Sequence, residues 1–212
     1  MNKRADIAGC IVLAVAAAAT FACRAEPPGS SAAATAGVKP GIEVLLETRL
    51  DLLRGKKVGL ITNPSGVGRS LRSSIDLLRS APGVTLVALY GPEHGVRGNA
   101  QAGEFVPVFQ DEKYGLPVFS LYGPSMKAPK EMFEDIDAYM RSFDTTHEDK
   151  KLDPEMTAGL DVLVFDIQDI GTRIYTYEAT MAYAMESAAE AGLEFIVLDR
   201  PNPIGGTILE GP

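Results

Sequence analysis

Glu93 and His94 stand side by side in the stretch Gly91-Pro92-Glu93-His94-Gly95, directly after the apolar run Val84–Tyr90. A carboxylate and an imidazole there can hold and move protons. Their neighbours explain how they are presented: glycine admits positive φ and proline fixes φ, so the chain turns sharply at this point. Comparable polar groups recur after other apolar runs. Asn63 and Ser65 follow Val58–Thr62, and Tyr122 follows Pro117–Leu121. Asp166 ends the run Asp161–Asp166, with Gln168 and Asp169 next, while Asp199, Arg200 and Asn202 mark the end of Glu194–Asp199. Each has an ordinary explanation singly, since Asn and Ser favour turns and Asp caps helices. Together they outline a cleft.

The reactive groups available to such a cleft are few. Cys10 and Cys23 both lie in the first 25 residues, so the rest of the chain has no thiol nucleophile, disulfide or thiolate zinc ligand. Two histidines, His94 and His147, are too few for a histidine-rich metal site, and neither a metal nor a cofactor is expected. Carboxylates remain. Glu93, Asp166 and Asp169, crowded at a partly buried edge, would have their pKa values driven apart, one staying protonated as a general acid and another ionised as base, nucleophile or electrostatic support. Glycoside hydrolysis needs that pairing. Arg97, Arg173 and Arg200 can each bind a substrate carboxylate or phosphate through paired N–H groups, or serve as structural ion pairs. A nucleotide site is the rival reading. Gly66-Val67-Gly68 resembles half of a dinucleotide fingerprint, but G-x-G-x-x-G is not completed and no P-loop lysine is present.

The elements that must position these groups follow a βα rhythm. Ile42, Leu45, Leu46, Leu50 and Leu53 recur at helical spacing and predict a first amphipathic helix ended by Gly55. Leu71, Ile75 and Leu78 mark one face of a second helix, and residues 95–115 read as a long loop. Met132, Phe133, Ile136, Tyr139, Met140 and Phe143 form a helical stripe read as packing, and His147 reads as a solvated loop residue. A short helix is expected around Glu155–Ala158. Tyr177, Met181, Met185 and Ala188 predict another helix, with Gly192 at its C-cap. Continuous apolar strands alternating with helices specify a parallel sheet of about five strands with helices on both faces. In such a sheet every strand's C-terminal end lies on one edge, which is where ligands bind.

Lys3 and Arg4 followed by the apolar run Ile7–Ala22 predict an export signal over residues 1–25, not a membrane span. Cys23 sits where a lipoprotein cysteine would sit, although Thr20 replaces the expected Leu; simple cleavage after Ala25 is the competing reading. Residues 26–40, rich in Pro, Gly, Ser and Ala, predict a flexible tether. The expected location is periplasmic or outer-surface, with contact to a membrane only through a lipid on Cys23. A formal net charge of -8 argues against a nucleic-acid partner.

At these same motifs the sequence resembles the exo-β-N-acetylmuramidases of bacterial peptidoglycan recycling. The resemblance rests on LITNPSGVGR, LVALYGPEHGVRG, QAGE, LPVFSLYG, DVLVFDIQDIGTRIYTY and VLDRPNPIGG with LEGP, and covers most of residues 42–212. It implies a Rossmann-like catalytic domain that takes N-acetylmuramic acid from the non-reducing end of peptidoglycan fragments. By that resemblance Glu93 is the candidate catalytic acid, and His94, Asp166, Gln168 and Asp169 would line the pocket. Asp169 or Asp166 is expected to assist attack by water, and Asn63, Arg97, Tyr122, Arg173, Tyr175, Asp199, Arg200 and Asn202 are the further candidates for binding the sugar. Two departures stand out: residues 124–152 read as an insertion, and the family's C-terminal domain, expected beside the cleft, is not in these 212 residues. A muropeptide-binding lipoprotein without turnover is the alternative from another class.

Overall fold

The computed structural model describes residues 37–102, 106–121, 151–152, 154–172 and 174–211. The signal, most of the tether, Tyr122, Arg173, the helical stripe 132–143 and His147 lie outside the described residues. The fold is that of the compact unit Val38–Pro212.

Six strands form one sheet: β1 (Lys57–Thr62), β2 (Thr85–Gly91), β3 (Phe109–Gln110), β4 (Pro117–Ser120), β5 (Val162–Asp166) and β6 (Glu194–Val197), in the order β3-β4-β2-β1-β5-β6. All pairings are parallel except that of β3 with β4. The expected α/β parallel sheet is present, with β3 as a sixth, two-residue strand inside the stretch read as loop. β5 is buried along its whole length, as a central parallel strand covered on both faces must be.

Side chains alternate across the sheet with period two, so each strand feeds two apolar layers. On one face Val58, Leu60, Val162 and Val164 pack with Ile42 and Leu45 of α1 (Gly41–Thr48) and Ile75 and Leu78 of α2 (Ser74–Ser80). On the other, Ile61, Tyr90, Leu163 and Phe165 pack with Tyr177, Ala184 and Ala188 of α4 (Tyr177–Ala191). Between them in the chain, α3 is the single turn Pro154–Thr157. Gly192 closes α4 in the left-handed region at φ 67, the expected C-cap.

Two expectations change. The first helix stops at Thr48 and gives way to a 3-10 turn at Leu50–Leu52. The Thr48 hydroxyl donates back to Val44 O at 2.8 Å, a local bond that competes with continued helix, and Arg49 leaves helical geometry at φ -134. Leu71 does not lie on the buried face of α2. It precedes the helix at φ 62 and is 80% exposed, because the turn Gly68–Ser73 closes on itself through Leu71 N to Gly68 O and Gly68 N to Arg72 O.

The strand order fixes where a site can form. From β1 the chain builds outward through β2 and β4 on one side, then crosses back to place β5 and β6 on the other. That reversal, at the loops leaving β1 and β5, is where a sheet of this kind places its ligand crevice.

Candidate active site

The crevice floor is made by three loops that hold one another through side chains. Asn63 Oδ1 accepts from Ser65 N at 3.0 Å and from Ser65 Oγ at 2.5 Å. Ser65 Oγ in turn accepts from Gln168 N at 2.9 Å, which joins the β1 loop to the β5 loop. The Gln168 amide donates to Asp169 O at 2.7 Å and to Pro201 O at 3.0 Å, bringing in the loop after β6. Gly66 is required by this closeness: a Cβ there would lie 2.1 Å from Thr62 Oγ1 and 2.9 Å from Asp166 O. Its small size serves backbone approach, which accounts for the glycine without a dinucleotide.

Asp166 sits beneath that floor. It is fully buried, and Arg200 grips it in a bidentate pair, Nε to Oδ1 at 2.7 Å and an Nη to Oδ2 at 2.9 Å. The Ser74 hydroxyl also donates to Oδ2, and Arg200 donates to Val67 O at 3.0 Å. With Arg200 itself 7% exposed, the pair is a sealed clamp tying the ends of β5 and β6 to the start of α2.

Glu93 and His94 are presented by a tightly folded turn. A Cβ on Gly91 would meet Val96 N at 2.7 Å, so only glycine allows the chain to double back here. His94 is held at φ 69, a left-handed conformation uncommon for a non-glycine residue. Its Nδ1 lies 3.0 Å from Ala100 O, and since a carbonyl only accepts, Nδ1 carries the proton. Ala100 N donates back to His94 O at 3.2 Å. In the neutral ring Nε2 is therefore the acceptor nitrogen. Glu93 is half-buried. Its Oε2 accepts from Thr176 Oγ1 at 3.2 Å, and its backbone carbonyl accepts from Tyr177 OH at 3.4 Å.

Asp169 supplies a second carboxylate on the β5 loop. Its Oδ2 accepts from Gly171 N at 2.7 Å, while Oδ1 is buried with no hydrogen-bond partner among the described residues, as is Thr172 Oγ1 in the same loop. A buried acceptor without a donor is uncommon in a folded protein. The Tyr175 hydroxyl is pushed above the usual phenol range by burial, and further by Tyr177 and the charge of Asp169. The rings of Tyr175 and Tyr177 meet edge-on with centroids 4.5 Å apart. Tyr175–Tyr177 thus runs from the neighbourhood of Asp169 to Glu93.

Other predicted residues are engaged differently. Arg97 is ion-paired with Asp111 and lies 5.3 Å from the centre of the Tyr114 ring. Burial pushes the Asp111 carboxyl up, but hydrogen bonds from Arg97 and from the Tyr114 and Lys113 amides outweigh it and hold the group below the usual range. Asp199 is exposed and contributes its backbone carbonyl, which accepts from Gly41 N at 2.7 Å. Asn202 Oδ1 accepts from Ile204 N at 3.1 Å, and its amide packs on Gly171. Among the described residues no group of three His, Cys, Asp or Glu is placed to hold a metal ion. A cavity of about 420 Å³ between α1 and β6 is walled mainly by aliphatic side chains such as Val44, Leu45, Ile196 and Leu198, and offers little for acid–base chemistry.

Thr176, Tyr177 and Ser74 are the contacts that sequence reasoning passes over. A Thr at the start of a helix reads as a cap and a Ser at the head of α2 as ordinary helix-start chemistry; nothing local in the sequence points to partners 83 and 92 residues away.

A Rossmann-like α/β domain with polar side chains at the C-terminal ends of its parallel strands is the class that this fold and site define. The family model for the N-terminal part of the exo-β-N-acetylmuramidase NamZ matches residues 58–145 and 139–212, and the chain belongs to that family. Over 175 residues it is 51% identical to the peptidoglycan β-N-acetylmuramidase NamZ of Bacillus subtilis strain 168, a match covering 82% of this chain and 36% of that protein. Among solved structures, a DUF1343 family protein from Bacteroides fragilis NCTC 9343 superposes with a TM-score of 0.64 at 52% identity, covering 82% of this chain and 37% of that one. A second DUF1343 protein from the same organism gives 0.51 at 28% identity, covering 78% and 35%. The chain thus spans little more than a third of the length of these relatives.

Proposed function

We propose that the chain forms the N-terminal part of an exo-acting glycoside hydrolase that releases N-acetylmuramic acid from the non-reducing end of peptidoglycan fragments during cell-wall turnover. The relationship to the Bacillus muramidase supports the substrate class. The observation that carries the chemistry is the half-buried Glu93 carboxylate, aimed by a glycine-dependent turn and held by Thr176.

In this reading Glu93 gives its proton to the glycosidic oxygen as the bond from the anomeric carbon breaks. The leaving sugar departs as an alcohol, and the electron-poor anomeric carbon is attacked by water or by the substrate's own 2-acetamido oxygen. Asp169, with one oxygen that accepts no hydrogen bond among the described residues, is the carboxylate that supports that attack. Asp166 takes a structural part, because both its oxygens are bound by Arg200 and one also by Ser74. His94, with Nδ1 pinned to Ala100, offers Nε2 as an acceptor for a sugar hydroxyl. The basic, apolar layout of residues 1–25 supports export, with Cys23 as the lipid-attachment site.

The test is release of the monosaccharide from a chromogenic N-acetylmuramide by the full-length protein. Glu93→Gln is expected to lower kcat by at least about a thousandfold, a general-acid contribution near the middle of its usual range. Turnover in Glu93→Gln equal to that of the wild type would overturn the assignment.

A further inference from the structure

We propose that Thr176 is the positioning residue for Glu93, and that it gives up helix capping to do this. The inference deepens the reading of Glu93 as the proton donor and rests on it. Thr176 is the residue immediately before α4, the place where a Thr hydroxyl ordinarily accepts from an amide of the first turn. It makes no such bond. By contrast Ser73, in the same place before α2, accepts from Asp76 N at 3.1 Å. The Thr176 hydroxyl points instead at Glu93 and donates to Oε2 at 3.2 Å.

The next residue reinforces the arrangement. Tyr177 is buried at 6% exposure, and its hydroxyl donates to the Glu93 backbone carbonyl at 3.4 Å. The start of α4 therefore fixes the main chain of Glu93 with one residue and one carboxyl oxygen with the residue before it. A donor fixed on Oε2 holds the carboxyl group in one orientation. A valine in place of Thr176 keeps the shape and removes the donor, while a serine keeps the donor. Loss of one hydrogen bond to a carboxyl group corresponds to a rate change of about tenfold when it acts on orientation alone.

The experiment compares Thr176→Val, Thr176→Ser and Glu93→Gln, singly and as Thr176→Val/Glu93→Gln, in the full-length protein with the chromogenic N-acetylmuramide, alongside thermal unfolding. Thr176→Val is expected to lower kcat about tenfold with KM within twofold of wild type and Tm lowered by no more than about 4 °C, since one hydrogen bond but no capping bond is lost. Thr176→Ser is expected to restore most of the rate, and Thr176→Val is expected to change nothing further in the Glu93→Gln background. An unaltered kcat in Thr176→Val, or a fall accompanied by a matching loss of Tm and no recovery with serine, overturns the positioning role. Full activity in Glu93→Gln instead overturns the reading on which it rests, whatever the Thr176 variants do.

Discussion

The Asp166–Arg200 clamp distinguishes structure from catalysis among the three candidate carboxylates. Replacing Asp166 with Leu leaves the Arg200 side chain, 7% exposed, without its counter-charge and frees the buried Ser74 hydroxyl. Removing one partner of a buried pair costs about 3–5 kcal/mol. At about 1.4 kcal/mol per factor of ten, that is about two to nearly four decades in the opening equilibrium of the strands it ties. Hydrogen exchange of β1 and β5 amides in the full-length protein reads this directly, provided closing outpaces exchange. Arg200→Met should show a similar loss, since it strands the carboxylate. Asp166→Leu/Arg200→Met should recover more than half of it, because apolar replacement of a whole buried pair is often neutral. The reasoning fails if Asp166→Leu exchanges within about threefold of wild type yet loses turnover; Asp166 would then belong to the chemistry, not to the floor beneath it.

Three further outcomes follow from the same geometry. Gly91→Ala places a Cβ 2.7 Å from Val96 N, a backbone atom that cannot move aside, and should cost about 1–3 kcal/mol in thermal unfolding together with a fall in kcat as the Glu93 turn shifts. Ser65→Ala removes the acceptor for Gln168 N and a donor to Asn63, and should lower stability by about 1–3 kcal/mol, or about 2–12 °C in Tm. Asp111 has a folded pKa below its unfolded one, so its stabilisation is complete above about pH 4 and disappears as pH falls through the lower folded value. The stability difference between wild type and Asp111→Asn should therefore shrink below about pH 4 in urea melts at stepped pH, and a difference that grows on acidification would contradict the ion pair with Arg97.

The sheet was legible because buried parallel strands write themselves as unbroken apolar runs, as Val162–Phe165 does. Convergence of Asn63, Glu93, Gln168 and Arg200 on one edge followed from that topology alone. β3 was not legible: two exposed residues carry no alternation, and they pair only because Asp111 N and Gly115 N close the adjoining turn. Leu71 has the right spacing for the α2 face, but tertiary closure of the preceding turn overrode the period. The fate of Asp166 and Thr176 depended on partners 34 and 83 residues distant, and no local pattern encodes which carboxylate is buried beneath an arginine.

The separation of the clamp's partners has a kinetic side. Thr62 reaches Asp166 across 104 residues and Val67 reaches Arg200 across 133. β1, β2 and β4 can assemble early, since each follows its neighbour closely, but the flank of β1 that takes β5 stays an open edge until more than a hundred residues later. Long-range closures of this kind pay their loop entropy before any contact rewards it, and they set the pace of folding. Asp166 meanwhile waits as a charge that is comfortable only in water. Burial becomes favourable only when Arg200 supplies the counter-charge, so the floor beneath Asn63 and Ser65 depends on a residue that follows the last strand of the sheet.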